Sequence, residues 1–372
     1  MKVRSFFMVL LTTNLLILLA GCFKGEQTME EMDPPQDAEA VDQSSQESDE
    51  SEQESDEPEQ QLGTDKEEAD ANDEEQDEME TAARQLYLID VNGMVVPQTL
   101  ELPNIDSNEV AKQVLEYLVK DGPVTSILPN GFQAVLPAGT EILGLRLEAD
   151  GTMIVDVSEE FKDYEPEEEA KILEAMTYTL TQFENVDKIK LWINGHPQDE
   201  MPVDGTPISD GYSRTNGINI IDSDALDLMN SHAVTMYFPT EHNDTRYYVP
   251  TTQHVEDTHN NIYYAMVQAL LDGPSYDTNV IHVFNTETAL VDEPVLNDGV
   301  LELVFNQSIL KDQDEAIISD EVMETLVRSL TEDPSVEALN VKVENVDQIV
   351  SENGEVYDEP VNKESFVDSE KL

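Results

Sequence analysis

The chain carries one unit twice, and that repeat limits what it can fold into more than any other feature. The first copy runs through Leu118-Val119-Lys120-Asp121-Gly122-Pro123 and then a hairpin from Ala149-Asp150-Gly151 into Val155-Asp156-Val157-Ser158-Glu159-Glu160-Phe161. The second returns as Leu270-Leu271-Asp272-Gly273-Pro274, then Asp298-Gly299 into Val304-Phe305-Asn306-Gln307-Ser308. An apolar helix stopped by Asp-Gly-Pro and followed by an Asp-Gly turn, in that order twice, implies two homologous domains. The stop has a mechanism: the glycine supplies a left-handed backbone at the helix end, and proline forbids continuation.

Each copy reads as a small α+β unit, a mixed or antiparallel sheet with two helices on one face. In the first, Leu86-Tyr87-Leu88-Ile89 and Val95 to Leu102 form strands around Asn92-Gly93. Asp106 is placed to cap the next helix, whose stripe is Val110, Val114, Leu115 and Leu118. Along Met153 to Ser158 the alternation sends Met153, Val155 and Val157 to the core and Ile154, Asp156 and Ser158 to the other face. Glu165-Pro166 opens a second helix with Ala170, Leu173, Thr177 and Leu180 inward, and Ile189 to Ile193 closes the copy. Trp192 and Phe161 are expected to be core aromatics. The boundaries read as 1–21 signal peptide, 22–83 acidic tether, 84–215 first domain, 216–231 linker, 232–350 second domain and 351–372 polar flexible tail.

The start of the chain addresses it to a membrane. Lys2 and Arg4 precede an apolar run from Phe6 to Leu19, too short for a stable span, which ends in Leu19-Ala20-Gly21-Cys22. This resembles a bacterial lipoprotein signal cleaved between Gly21 and Cys22, with acyl chains, palmitate among them, carried on Cys22. At about 0.8 kcal/mol per buried methylene, two or more acyl chains hold a protein at a bilayer. Cys22 is the single cysteine, so an internal disulfide is excluded. From Gly25 to about Glu80 the sequence is nearly all Glu, Asp, Gln and Ser, which is the composition of an unfolded spacer reaching roughly 40–45 Å as a flexible coil.

With 81 acidic residues against 19 basic ones, the formal charge is -62, and a nucleic-acid partner is excluded. Chemistry-bearing patterns are absent. The six histidines, His196, His232, His242, His254, His259 and His282, lack zinc-ligand spacing. Ser158 lacks the Gly-x-Ser-x-Gly elbow, and Asp222-Ser223-Asp224 begins a calcium loop without completing it. No catalytic residue, metal or cofactor is expected.

Taken together, the lipobox, the acidic spacer and the two copies of helix, Asp-Gly-Pro, Asp-Gly turn and strand resemble the GerM family, the sporulation and spore-germination lipoproteins of endospore-forming bacilli with tandem GerMN domains. The first copy fits well through Trp192-Ile193-Asn194-Gly195; the second departs at Phe305-Asn306-Gln307-Ser308 and at Glu344-Asn345. The resemblance implies a non-enzymatic protein whose domains resemble ring-building modules and self-associate. It also implies lipid anchoring on the extracytoplasmic face, in sporulating cells at the outer forespore membrane facing the intermembrane space. Its partners there would be the proteins of the mother cell–forespore channel. The alternative reading is a lipoprotein that binds cell-wall polymer or another extracytoplasmic ligand.

Overall fold

The computed structural model describes residues 40–41, 80–105, 109–221, 231–256, 260–274 and 278–370. Cys22, the signal segment, most of the acidic tract and the Asp106 cap lie outside the described residues. Among the described residues no helix is long and apolar enough to cross a membrane.

Each repeat is α+β, as expected, but its strands divide into two sheets with a helix between them. In the first repeat β1 (Thr81–Ile89) and β2 (Val95–Pro103) make an antiparallel hairpin that starts inside the tract read as tether. The short helix α1 (Val110–Glu116) follows, with Val110, Val114, Leu115 and Leu118 all buried. Then β3 (Ile142–Leu147) and β4 (Thr152–Val157) pair antiparallel around Gly151, whose φ of 80° is the conformation that glycine adopts without penalty. Helix α2 (Glu169–Leu180) crosses over to β5 (Lys188–Ile193), which lies parallel to β4. The short strands β6 (His196–Pro197) and β7 (Tyr212–Ser213) flank β5.

Helix α2 is buried on nearly every side from Ile172 to Leu180, because β1 covers one flank and β5 the other. The backbone N–H of Tyr87 in β1 donates to Thr179 Oγ1 at 3.0 Å. Ala170, expected inside, is exposed, and its neighbour Glu169 is buried instead. The reason is local. The Glu169 carboxylate accepts Tyr164 Oη (2.8 Å) and the backbone N–H groups of Asp204 (2.7 Å) and Thr206 (2.9 Å), so it pins the loop after β6. Those bonds hold its carboxyl below the usual range although burial pushes the other way.

The second repeat follows the same plan. Strands β8 (Ser231–His242) and β9 (Thr245–Glu256) form a longer hairpin through Asn243 and Asp244, both left-handed, and α3 is Ile262–Asp272. Strand β10 (Val295–Asn297) pairs with β11 (Val300–Phe305), and the preceding Ala289–Val291 stretch supplies one isolated bridge, Leu290 to Phe305. After two short strands, β12 (Leu310–Asp312) and β13 (Ile317–Ile318), α4 (Asp320–Leu330) crosses to β14 (Ala338–Val343), parallel to β11. Here Tyr237 N–H donates to Ser329 Oγ at 2.9 Å, the counterpart of Tyr87 to Thr179. Two tertiary bonds in corresponding places show the duplication in three dimensions.

The segment after Ser351, read as a flexible tail, is docked as far as Phe366. Val361 exchanges two backbone bonds of 2.8 Å with Leu339, and Phe366 packs against the second core. The start of the stretch read as a linker is docked too. Ile218 is fully buried, and Asn219 ties the hairpins together through bonds to Val95 N–H (2.8 Å), Val95 O (2.7 Å) and Pro250 O (2.8 Å).

Candidate functional site

Two places stand out: a groove beside the first Asp-Gly-Pro turn, where motif residues meet, and the junction between the repeats, which is built from other residues. The groove begins where α1 ends. Asp121 carries the left-handed backbone there (φ 59°), a state that Asp tolerates, and Gly122 does not (φ -88°). That corrects the expected role of the glycine in the first copy. Gly122 is needed for closeness instead, since a Cβ there would stand 2.9 Å from the Val119 carbonyl oxygen. In the second copy the expectation holds: Gly273 has φ 84° and sits against the ring of His282. Pro123 starts a single 3₁₀ turn.

Opposite this turn lies the start of β3, and between them is a cleft of about 520 Å³. Asp121, Gly122 and Pro123 form one wall with Lys112, Glu116 and Lys120; Thr140, Glu141, Ile142 and Leu143 form the other. Ser158 sets the far wall from behind. Its Oγ accepts the Glu141 N–H (3.0 Å), and its own N–H donates to Glu141 O (3.0 Å). Asp156 accepts the Gly195 N–H (2.9 Å) and so fixes the turn after β5. In the second copy Asn306 does the work of Ser158: its Oδ1 accepts the Ala289 N–H (3.2 Å) and its N–H donates to Ala289 O (3.0 Å). The departure at Phe305-Asn306 therefore preserves the bracket with a longer acceptor.

A test follows. Replacing Ser158 by Ala leaves the Glu141 N–H without that acceptor and lowers stability by about 1–2 kcal/mol, whereas Ser158→Asn loses less. Urea denaturation at fixed pH measures both.

The junction joins the repeats through charge and aromatic packing. Arg214, just after β7, pairs with Glu332 at the end of α4; its Nε donates to Thr181 Oγ1 (2.8 Å) and its guanidinium lies 4.6 Å from the Tyr178 ring centre. Lys363 reaches the same carboxylate at 3.3 Å, and Tyr237 Oη donates to it at 3.3 Å. Burial would raise the Glu332 carboxyl, but Lys363 and Arg214 beside it bring it down to about 2. A second seam forms where β9 divides its faces. Tyr247 and Val249 enter the core of the first repeat, while Tyr248 lies under Arg328 of the second. Tyr247 Oη donates to Asp90 (2.8 Å), and its ring meets Phe132 edge-on at 5.1 Å.

Trp192 departs from expectation. Ile189, Leu191 and Ile193 face the core, so Lys190 and Trp192 face outward, and Arg146 of β3 stands 5.4 Å over the indole. Phe161 is fully buried, as expected. Among the described residues no group of three or more His, Cys, Asp or Glu is placed to hold a metal; His259 lies outside them.

Both repeats match one family, described as Germane, sporulation and spore germination, over residues 85–199 and 235–348. The chain belongs to the Germane family. It is 43% identical over 361 residues to the spore germination protein GerM of Bacillus subtilis (strain 168), covering 96% of each. The solved tandem GerMN domains of the sporulation protein GerM from Bacillus subtilis superimpose with a TM-score of 0.70 at 46% identity, over 76% of this chain and 97% of that one. As a Germane member it is a sporulation and spore-germination protein with two GerMN domains. The junction residues Arg214 and Glu332 were not singled out from the sequence. Only the change from an acidic loop to Tyr-Ser-Arg at Tyr212-Ser213-Arg214, an isolated cation, hinted at them.

Proposed function

We propose that this chain is a non-enzymatic lipoprotein that presents its tandem GerMN domains on the extracytoplasmic face of the membrane and helps assemble or localise the mother cell–forespore channel by protein–protein contact. The supporting observation is that the two repeats pack as one unit through Arg214, Glu332 and Tyr247, while β3 and β10 each remain the outermost strand of their sheets. Such a body offers strand edges for docking rather than a closed cleft for turnover. The family is described by a process, not by a reaction. Cys22 supplies the anchor, and the acidic tract gives the domains reach from the bilayer toward the opposing membrane of the forespore.

Replacing Cys22 by Ser is expected to move the protein from the membrane fraction to the soluble fraction, and sporulating cells carrying it should lose the focus at the engulfing membrane. Co-isolation of channel proteins from sporulating cells tests the docking role; cleavage of peptidoglycan by the purified chain would overturn the non-enzymatic reading. Binding to wall polymer is the second reading, favoured by the outward Trp192 beneath Arg146. Sedimentation with purified cell wall decides it.

A further inference from the structure

The groove beside Asp121-Gly122-Pro123 ends on an unpaired strand. In the first repeat's sheet β3 is outermost, and its register sets Leu145 opposite Val155 and Leu147 opposite Met153. Glu148 N–H donates to Thr152 O (2.8 Å), so residues 148, 146 and 144 turn their backbone groups toward β4 while Leu145 and Leu147 turn theirs away from it. An outward row of N–H and C=O groups is a template for another strand.

Three further features define what would fill it. Leu143 at the mouth is 48% exposed and Ile142 beneath it is buried, which suits an apolar side chain. Thr140 lines the groove at 7% exposure, with its hydroxyl lacking a hydrogen-bond partner. The lysines on the walls are already matched, Lys112 to Glu116 at 3.5 Å and Lys120 to Glu168 at 2.5 Å. The remaining wall charges are therefore the exposed carboxylates of Asp121 and Glu141, on a chain whose formal charge is -62.

We propose that this groove receives an extended, basic segment of another protein, which adds as a strand to β3, sets an apolar side chain on Leu143 and directs its cations to Asp121 and Glu141. The inference rests on the docking reading above and names the chemistry of the partner. Main-chain bonds to Leu145 and Leu147 supply affinity, and charge supplies selection and speed of encounter. An acidic segment, including the chain's own Glu-rich tract, is repelled by the same carboxylates.

The test is calorimetric titration of the full-length protein in detergent with a synthetic peptide of alternating valine and lysine, and with its valine–glutamate counterpart. The lysine peptide should bind and weaken as salt rises, and the glutamate peptide should not bind. Leu145→Pro removes an outward N–H from an edge strand, a place where proline is tolerated, and is expected to weaken binding more than about tenfold relative to Leu145→Ala, which gives up the same packing against the first core but keeps the N–H. Glu141→Lys is expected to weaken it about fivefold through charge alone. Equal binding by wild type and Leu145→Pro, or preference for the glutamate peptide, overturns the proposal. So does self-association of the free chain that Leu145→Pro abolishes, since the edge would then belong to a second copy. A lysine peptide that fails to bind while channel proteins still co-isolate from cells sinks this inference and leaves the docking role standing.

Discussion

Replacing Glu332 by Ala is expected to destabilise the folded chain by about 3 kcal/mol, at the low end of the cost of breaking a buried pair, and to split unfolding into two transitions. The cost arises because Arg214 keeps its charge in a pocket formed by Tyr178 and Thr181, and Lys363 and Tyr237 Oη lose the carboxylate that they share. The two transitions arise because this cluster is one of the seams by which each repeat feels the other. With it gone, the hairpins are still joined through Tyr247, Asn219 and the Asn279–Asn92 bond, but the end of α4 is released from the first repeat. The pH dependence gives a further check. The Glu332 carboxyl lies at about 2 in the fold against an ordinary value of 4.5, so its stabilisation is present above pH 4.5 and drains away as pH falls toward 2. Wild type and Glu332→Ala should therefore differ most above pH 4.5 and converge in acid. Calorimetric scans across that range measure both features. A single transition with unchanged midpoint would show that the junction is dispensable.

The parts of this structure visible in the sequence are those set by neighbours along the chain. The Asp-Gly turns, the proline start before α2 and the stripe through Val110, Val114 and Leu118 all arise from local backbone preference and helical period, and all are present. Trp192 is a local feature that sequence reasoning placed wrongly: the expected core position follows the average tendency of tryptophan to be buried, whereas in Lys188-Ile189-Lys190-Leu191-Trp192-Ile193 the indole shares its parity with two lysines, and that alternation decides its face. The junction was not legible. Arg214 and Glu332 sit in different repeats, and in a chain with 81 acidic residues nothing local separates Glu332 from its many solvated neighbours. Glu169 was hidden for the same reason, since its value comes from N–H groups on a loop that only the fold brings near. The groove lay between. Its Asp-Gly-Pro wall is a sequence motif, but the opposing wall at Thr140 and Glu141 depends on strand register and on the Ser158 bracket.

Glu174 supports the other large prediction, of opposite sign. It lies inside α2, 5% exposed, near Tyr212 and beneath the connector, where the backbone N–H of Asn219 donates to its carboxylate. Burial raises its carboxyl to about 7, against the pull of that N–H and of Lys171. The folded chain thus keeps the proton between pH 4.5 and 7 while the unfolded chain has lost it, so stability falls as pH rises through that window and the full cost is felt above pH 7. Glu174→Gln keeps the acceptor for Asn219 and removes the charge. The variant should gain about 3 kcal/mol over wild type above pH 7 and nothing below pH 4.5, at roughly 1.4 kcal/mol for each unit by which the carboxyl is displaced. The gain should appear in the unfolding midpoint and not as a tighter connector, because the Asn219 N–H is held more strongly by an ionised carboxylate than by a neutral amide, and Asn219 keeps its bonds to Val95 and Pro250 in either case. Amide exchange at Ile218 to Ile221 reads the connector directly. If Glu174→Gln shows the same pH profile as wild type, the carboxylate is solvated in solution and burial does not raise it.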